Sequence, residues 1–196
     1  MKLLFLITMF ATQTLIQNWI YTNTVFSYSI SLSNDWKQIP ASEIDRVSKL
    51  AGIKTVYNEG FYKNDIDKTN NYFSYPYVLT QIHLMDTKEN EYDYYAELLI
   101  KNQNKIKEGF DETKEKFSAH IEKIEFNGKA FYNKNKHRIY IPFKAKQTNE
   151  DEIFGCMIMI IFQKGFFQIN LYSDKLSFFN ELDNIELTLD SFKSIH

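Results

Sequence analysis

The ten residues Ile153–Phe162 (IFGCMIMIIF) decide the fold of this chain. The run is almost continuously apolar, which is typical of a central strand that is covered on both faces of its sheet. A polar turn at residues 163–165 leads into a second apolar stretch at 166–172, and so short a connection predicts an antiparallel pair. We therefore predict a sheet that carries helices on both faces.

The periodicity of apolar side chains predicts the elements around this pair. Residues 25–32 place apolar side chains at every second position with serines between them, which indicates a half-buried strand. Residues 42–51 and 174–195 repeat apolar side chains at helical spacing, and residues 90–117 give the longest helical pattern. Gly109 within that pattern predicts a bend or an end, because glycine costs a helix about 1 kcal/mol relative to alanine.

Further strands are indicated on both sides of the long helix. Residues 54–63 and 72–85 are rich in aromatic and β-branched side chains, and residues 137–146 alternate apolar with other side chains. The dipeptide Asn127-Gly128 lies between two short strand-like stretches. This dipeptide is the strongest hairpin signal in the chain, so we predict that the two stretches pair with each other.

The order of these elements predicts an α+β fold: an α/β/α sandwich with a mainly antiparallel sheet in a single domain over residues 28–196. The hydrophobic content of 44% is sufficient for a core, and Cys156 is the only cysteine, so no intramolecular disulfide can form. The formal net charge of -2 gives no support for nucleic-acid binding, which usually shows a basic excess.

Residues 1–27 are interpreted as a signal peptide. Lys2 supplies the positive charge and residues 3–10 supply the apolar core, whereas the polar residues 12–14 make the stretch a poor membrane span. We therefore expect an extracytoplasmic protein, periplasmic or secreted, without a stable membrane span after signal removal. An uncleaved anchor is the main alternative, and an ordinary buried helix is the third.

The small side chains of Val25 and Ser27 suit a cleavage after Ser27. Cuts after Thr22 or Thr24 are alternatives. A cut after Ser27 would leave the folded domain to begin almost directly at its first strand.

The opening strand and turn of that domain, residues 28–36 (YSISLSNDW), resemble the start of domains in the PsbP/Mog1/DcrB-like group. Those domains often begin with an alternating strand followed by Pro, a turn and Trp, and they end with a strand hairpin and a C-terminal helix. Ser33 and Asp35 depart from the pattern, since Pro and Gly are common at those positions. The resemblance implies a Mog1/PsbP-like sandwich and an accessory protein that is not an enzyme, and it assigns no catalytic residue.

Side chains that could carry chemistry show no local motif. The histidines have no zinc-ligand spacing, and no nucleophile elbow, P-loop or dinucleotide fingerprint is present. Cys156 lies in an apolar strand, which predicts a buried and unreactive thiol. Acidic turns at 65–67 and 150–152 are interpreted as solvated. We predict no catalytic residue, no metal ligand and no cofactor. The side chains concerned are His83, His120, His137, His196, Asp65, Asp67, Glu150, Asp151 and Glu152.

Aromatic side chains make up 16% of the chain and form two clusters, at residues 72–77 and 92–95. Core packing is the favoured interpretation, and a partner surface is the alternative, because tyrosine is enriched at interfaces. Tyr72 and Tyr94 are the better surface candidates.

Together these patterns predict an exported, non-catalytic accessory or binding protein of the cell envelope or secreted fraction, with a protein partner in that compartment. The alternative is an exported enzyme whose site is assembled from dispersed residues. A secreted factor that acts on another cell is a third hypothesis.

Overall fold

The computed structural model describes residues 18–50, 57–63, 71–116, 121–148 and 152–195. Its helices are α1 (Ala41–Leu50), α2 (Tyr92–Lys101), α3 (Gln103–Lys116) and α4 (Phe178–Asp190). Its strands are β1 (Asn18–Asn23), β2 (Tyr28–Ser33), β3 (Lys37–Gln38), β4 (Glu59–Tyr62), β5 (Tyr77–Leu84), β6 (Ile121–Phe126), β7 (Phe131–Asn133), β8 (Arg138–Gln147), β9 (Ile153–Phe162), β10 (Gly165–Ser173) and β11 (Lys193–Ser194).

The main sheet has eight strands in the order β3-β4-β5-β10-β9-β8-β6, with β7 also pairing β8. Strand β9 lies between β8 and β10 and pairs antiparallel with both. Its nearly continuous apolar sequence is explained by this position, because both of its faces are covered. The predicted α+β class with a mainly antiparallel sheet is confirmed.

One face of the main sheet is covered by α4 and a small sheet of order β1-β2-β11. Strand β2 does not join the main sheet. Its side chains Tyr28, Ile30 and Leu32 point down into the core between the layers. The predicted sandwich therefore has three layers, but one outer layer combines a helix with a second sheet. Other members of this core are Trp36, Phe61, Val78, Ile158, Phe167, Ile169, Leu171, Phe178, Ile185 and Leu189.

Helices α1, α2 and α3 lie on the opposite face of the main sheet. A cluster around Ile44 and Leu79 packs beneath α1, and a separate cluster around Ala96 and Ile141 packs beneath α2. The two clusters occupy different ends of the same face. This division leaves a space between them, which is described below.

The predicted hairpin at Asn127-Gly128 is wrong. Strands β6 and β7 do not pair with each other; both pair with β8, at Phe126↔Phe143 and Phe131↔Tyr140. Pro142 lies in β8 between those pairs and has no backbone N–H to donate. The strand pairing along this edge of β8 is therefore interrupted at Pro142, between β6 and β7. Backbone pairing with the ten-residue strand β8 thus stabilises β6 and β7 more than a hairpin at Asn127-Gly128 would.

The predicted helix over 90–117 is divided at Asn102, not at Gly109. Asn102 closes α2 with backbone angles of -89° and 27°, outside the helical region, and α3 starts at the next residue. Gly109 stays helical, and the Thr113 hydroxyl donates to its carbonyl oxygen at 2.8 Å.

None of the helices in the described segments is both long enough and apolar enough to cross a membrane.

Strand β1 lies within the segment 1–27 that the sequence assigns to a signal peptide. The rings of Trp19 and Tyr21 pack against Phe61, with centroids 6.1 and 5.2 Å away. Trp19 Nε1 donates a hydrogen bond to the Trp36 carbonyl oxygen at 3.1 Å. These contacts join β1 to the main core.

A cleavage after Ser27 or Thr24 would remove β1, and one after Thr22 would divide it. Residues 1–17, which contain the apolar core of the predicted signal, lie outside the described residues. The signal peptide and its cleavage site stay predictions.

Candidate functional site

An apolar cavity of about 670 Å³ lies between α1, α3 and the main sheet. Its floor is formed by β5, β8, β9 and β10, and its walls by the two helices. The cavity exists because α1 covers one end of this sheet face and the α2–α3 pair covers the other. The residues that line the cavity include Arg46, Tyr75, Tyr77, Gly109, Phe110, Phe143, Ala145, Gln147, Gln168, Asn170 and Tyr172.

Aromatic rings form a continuous wall of this cavity. The Tyr77 and Tyr172 rings stack with centroids 4.7 Å apart, and Phe143 meets Tyr172 edge-on at 5.6 Å. Phe110 of α3 extends the wall, 5.7 Å from Phe143. Burial raises the pKa of Tyr77 and Tyr172 well above their ordinary value, so both phenols are neutral at any physiological pH.

Two amide side chains interrupt the apolar floor. Gln168 and Asn170 of β10 are only 7% and 3% exposed, and they lie two residues apart on the same face as Tyr172. Gln168 Nε2 donates to Asn170 Oδ1 at 2.9 Å, and Gln168 Oε1 lies 3.2 Å from His83 Nε2. A buried polar group without a partner costs about 1–3 kcal/mol, so amides at this depth need partners.

A third amide, Gln147, lies at another side of the same cavity. Its Nε2 donates to the Tyr75 hydroxyl at 3.1 Å. Its carbonyl oxygen is buried and accepts no hydrogen bond from the described part of the chain. The cavity is therefore apolar with a small number of placed polar groups, which is the usual composition of a ligand site.

The only charged side chain among the described lining residues is Arg46. Its Nε and Nη2 both lie 2.9 Å from Glu43 Oε2 on the same helix, and its side chain is 57% exposed, so the pair lies at the solvent side of the cavity. The other lining side chains in the described structure carry no charge, so the interior of the cavity favours an uncharged occupant.

A second depression, of about 620 Å³, lies at residues 86–91 beside Gln163 and Lys164. It is open to solvent and lined mainly by exposed polar and charged side chains. It lacks the enclosing apolar wall that small-molecule sites require.

The histidines do not form a cluster in the described structure. His83 of β5 and His137 lie on one row across β5, β10, β9 and β8, with Phe166 and Ile161 between them. Three strand spacings separate them by about 14 Å. His120 and His196 lie outside the described residues.

His137 contributes to a hydrogen-bonded group at the start of β8. The Tyr132 hydroxyl donates to Asp93 Oδ1 at 3.0 Å and lies 3.2 Å from His137 Nδ1. Burial and the Asp93 carboxylate raise the pKa of Tyr132 to about 12. An activated nucleophile needs the opposite shift, so this group joins α2 to β7 and does not activate a hydroxyl.

Cys156 lies in the core between the main sheet and α4, as its apolar context predicted. Burial raises the pKa of its thiol to about 12, which makes the thiolate rare at neutral pH. Within the described segments no group of three His, Cys, Asp or Glu side chains is placed to hold a metal ion. The acidic residues 65–67 and 150–151 fall outside those segments. Glu152 forms an ion pair with Lys144, with Oε1 and Nζ 3.6 Å apart.

The aromatic clusters have more than one role. Tyr94 is 63% exposed, as predicted, whereas Tyr72 packs edge-on against Tyr62 at 5.5 Å. Tyr75 and Tyr77 line the cavity, which is neither of the two roles considered from the sequence. The available signal for the cavity was the pair of amides at 168 and 170 within an otherwise apolar strand.

Comparisons with known proteins concern the fold. Neither a protein-family model nor a curated protein matches the chain. The solution structure of cyanobacterial PsbP (CyanoP) from Synechocystis sp. PCC 6803 is similar over 93% of this chain and 95% of that chain, with 10% sequence identity and a TM-score of 0.49.

Proposed function

We propose that this chain is a non-catalytic binding protein that works outside the cytoplasm, with the apolar cavity as its binding site. The observation that carries the proposal is the cavity itself. Its volume of about 670 Å³ falls within the roughly 300–1,000 Å³ of small-molecule sites, and its walls are apolar and aromatic with few polar groups.

The groups around the cavity favour binding over chemistry. Burial raises the pKa of Tyr77 and Tyr172, and the one charged lining residue in the described structure, Arg46, forms an ion pair with Glu43. General acid–base catalysis needs a group whose pKa lies near the working pH. The alternative of an exported enzyme therefore has no supporting observation at this site.

A fluorescent probe tests the cavity directly. N-phenyl-1-naphthylamine is uncharged, apolar and bright only out of water, and we expect it to bind the wild-type chain with one-to-one stoichiometry. Gly109 belongs to the cavity lining and is exposed, and a Cβ added there meets nothing within 4 Å, so Gly109→Phe introduces a ring at the cavity mouth without a clash at its Cβ. We expect this substitution to weaken probe binding at least tenfold.

Gly109→Ala is the matched control, because it adds one methyl group at the same position and leaves most of the volume free. Both variants replace a helical glycine, so both should be at least as stable as the wild type, with a gain of about 1 kcal/mol for alanine. A second filler on the floor, Ala145→Leu, should also weaken the probe. The absence of probe binding, or wild-type affinity in both Gly109→Phe and Ala145→Leu, would refute the cavity as the binding site.

The extracytoplasmic location rests on Lys2 and the apolar residues 3–10. Cell fractionation with N-terminal sequencing of the recovered protein tests it. A shortened chain in the periplasm or medium supports export, and an intact chain in the membrane fraction identifies an uncleaved anchor. An intact chain in the cytoplasm would overturn this part of the proposal.

We also propose a protein partner in the same compartment, as expected of an accessory protein. Crosslinking in intact cells followed by purification tests this independently of the cavity. Repeated recovery of the uncrosslinked chain alone would count against it.

A further inference from the structure

We propose that the cavity selects an uncharged, ring-containing molecule that carries a hydrogen-bond donor such as a hydroxyl group, and that the side-chain carbonyl oxygen of Gln147 accepts this hydrogen bond. This inference rests on the proposed binding function and adds the chemical class of the ligand. Three features of the cavity support it: a buried acceptor without a partner, a stack of rings beside that acceptor, and an interior without charge.

The acceptor is Oε1 of Gln147, a lining residue at the end of β8. Gln147 Nε2 donates to the Tyr75 hydroxyl at 3.1 Å. With the amide in this orientation, Oε1 is buried and accepts no hydrogen bond from the described part of the chain. A buried carbonyl oxygen that has lost water without gaining a donor is unfavourable, and a ligand donor would remove this cost. The terminal torsion of a glutamine is broad, so the amide can rotate toward an occupant.

A stack of three tyrosine rings adjoins this amide. The Tyr75 and Tyr77 rings lie 5.7 Å apart at an interplanar angle of 19°, and the Tyr77 and Tyr172 rings lie 4.7 Å apart at 15°. Tyr75 is both the first ring of this stack and the hydrogen-bond partner of Gln147. A flat ligand with a hydroxyl group directly on its ring can therefore pack against the aromatic wall and reach the acceptor.

The rest of the described lining offers no competing group. Gln147 is the only described lining residue with a buried side-chain polar atom that lacks a hydrogen-bond partner. Arg46 pairs with Glu43 at the solvent side, so an ionised ligand group would lose its hydration inside the cavity without gaining a counter-ion. A hydroxyl group donates while it stays neutral, whereas an ammonium donor brings a charge.

Four naphthalenes substituted at position 2 test these properties on a common ring. The hydroxyl compound 2-naphthol has a donor, 2-methoxynaphthalene keeps the oxygen without the donor, 2-methylnaphthalene has neither, and naphthalene-2-sulfonate is charged. Each is measured by displacement of N-phenyl-1-naphthylamine from the wild type and from Gln147→Met, which removes the acceptor with little change in side-chain length. Comparison between the two proteins cancels the hydration of each free ligand.

We expect the affinity for 2-naphthol, relative to that for 2-methylnaphthalene, to fall roughly 3- to 10-fold in Gln147→Met, the net value of one hydrogen bond. The relative affinity for 2-methoxynaphthalene should not change. In the wild type the sulfonate should bind at least tenfold more weakly than 2-naphthol. Gln147→Met should still bind the probe, because the aromatic wall is unchanged, and Gln147→Leu is a second variant with the same expectations.

Thr113→Val is the matched control within the cavity lining. It removes a hydroxyl that already donates to the Gly109 carbonyl oxygen and keeps the side-chain volume. The relative affinities of the four naphthalenes should therefore stay as in the wild type.

The outcomes separate this inference from the proposed function. If the probe fails to bind the wild type, the binding function itself is refuted. If the probe binds and the relative affinity for 2-naphthol is unchanged in both Gln147 variants, the cavity binds ligands but Gln147 does not select them. An equal loss for 2-methoxynaphthalene would show that the amide donates to the ligand and would overturn the donor class. A sulfonate that binds as tightly as 2-naphthol would overturn the uncharged class.

Discussion

Substitution of Trp19 by alanine tests whether β1 belongs to the folded domain. Trp19 lies on the inward face of β1, opposite Leu32 of β2, and its ring contacts Phe61 of the main sheet. Its indole N–H donates to the Trp36 carbonyl. Its neighbour Ile20 points outward and is 72% exposed, so Ile20→Ala is a control in the same strand.

The expected loss follows from burial and the two contacts. A fully buried Trp loses about 3–5 kcal/mol when it is replaced by Ala. Trp19 is half-buried, so about half of that value, roughly 2 kcal/mol, is expected, and it includes about 1 kcal/mol for the hydrogen bond. For a chain of this size, 2 kcal/mol lowers the melting temperature by about 4–8 °C. Ile20→Ala should change stability by less than about 0.5 kcal/mol.

Thermal and urea unfolding of chains that start at Asn18 measure both variants. A chain that starts at Tyr28 should be less stable than Trp19→Ala, because it also lacks the Tyr21 ring and the hydrogen bond from Asn23 to Glu59. If Trp19→Ala and Ile20→Ala have equal stability, β1 is not packed on the domain and the reasoning is wrong.

Three further predictions concern the core and its ion pairs. Gly155→Ala should lose about 1–3 kcal/mol in urea unfolding, because its Cβ would overlap the Phe143 ring; a double variant with Phe143→Leu should recover part of the loss. Hydrogen bonds from Lys136 and Arg138 hold the pKa of Asp190 below its ordinary value, so its contribution to stability is complete above the unfolded pKa of about 3.9 and is lost as the pH falls through the folded value. Asp190→Asn should therefore reduce the acid-side fall in melting temperature, and an unchanged profile would contradict this account. Cys156 should react with a disulfide reagent at pH 8 far more slowly in the native protein than in urea, and equal rates would show that the thiol is exposed.

The alternation of side chains predicted strands and their faces, but not which strands pair. Residues on either side of Asn127-Gly128 have strand patterns, and both form strands. The pairing depends on the free edge of β8 and on Pro142, more than ten residues further along the chain. The turn preference of Asn127-Gly128 stabilises a hairpin less than the backbone pairing with the ten-residue strand β8 stabilises the observed sheet. The sequence around the turn therefore does not determine which strands pair.

The cavity was beyond prediction for a related reason. Its floor residues Gln168 and Asn170 are visible in the sequence as polar side chains in an apolar strand, and that pattern could have raised the question of a site. Its walls come from Ile44 of α1 and Ile106 of α3, which are far apart in the chain. Only the spacing of two helices on one sheet face creates the volume between them.

Strand β1 has a strand pattern in a segment that the sequence also predicts to be part of a signal peptide. Trp19, Tyr21 and Asn23 alternate with more exposed residues, which is the same period-two pattern that identified β2. The small residues Val25 and Ser27 place the predicted cleavage site after Ser27, on the C-terminal side of this pattern. The two interpretations compete because a cleavage after Ser27 would place β1 in the signal.

A cleavage between the apolar core of the predicted signal and β1 would satisfy both interpretations. The core ends at Phe10, and β1 begins at Asn18, so residues 11–17 separate the two. A cut there would preserve the complete apolar stretch that targeting requires and the contacts of Trp19 with the main sheet. A cut after Ser27 would release a domain with the β2 edge unpaired, and unpaired strand edges promote association between chains. N-terminal sequencing therefore distinguishes the two: a first residue at or before Asn18 is expected if Trp19→Ala is destabilising, and a first residue of Tyr28 would mean that the exported domain functions without β1.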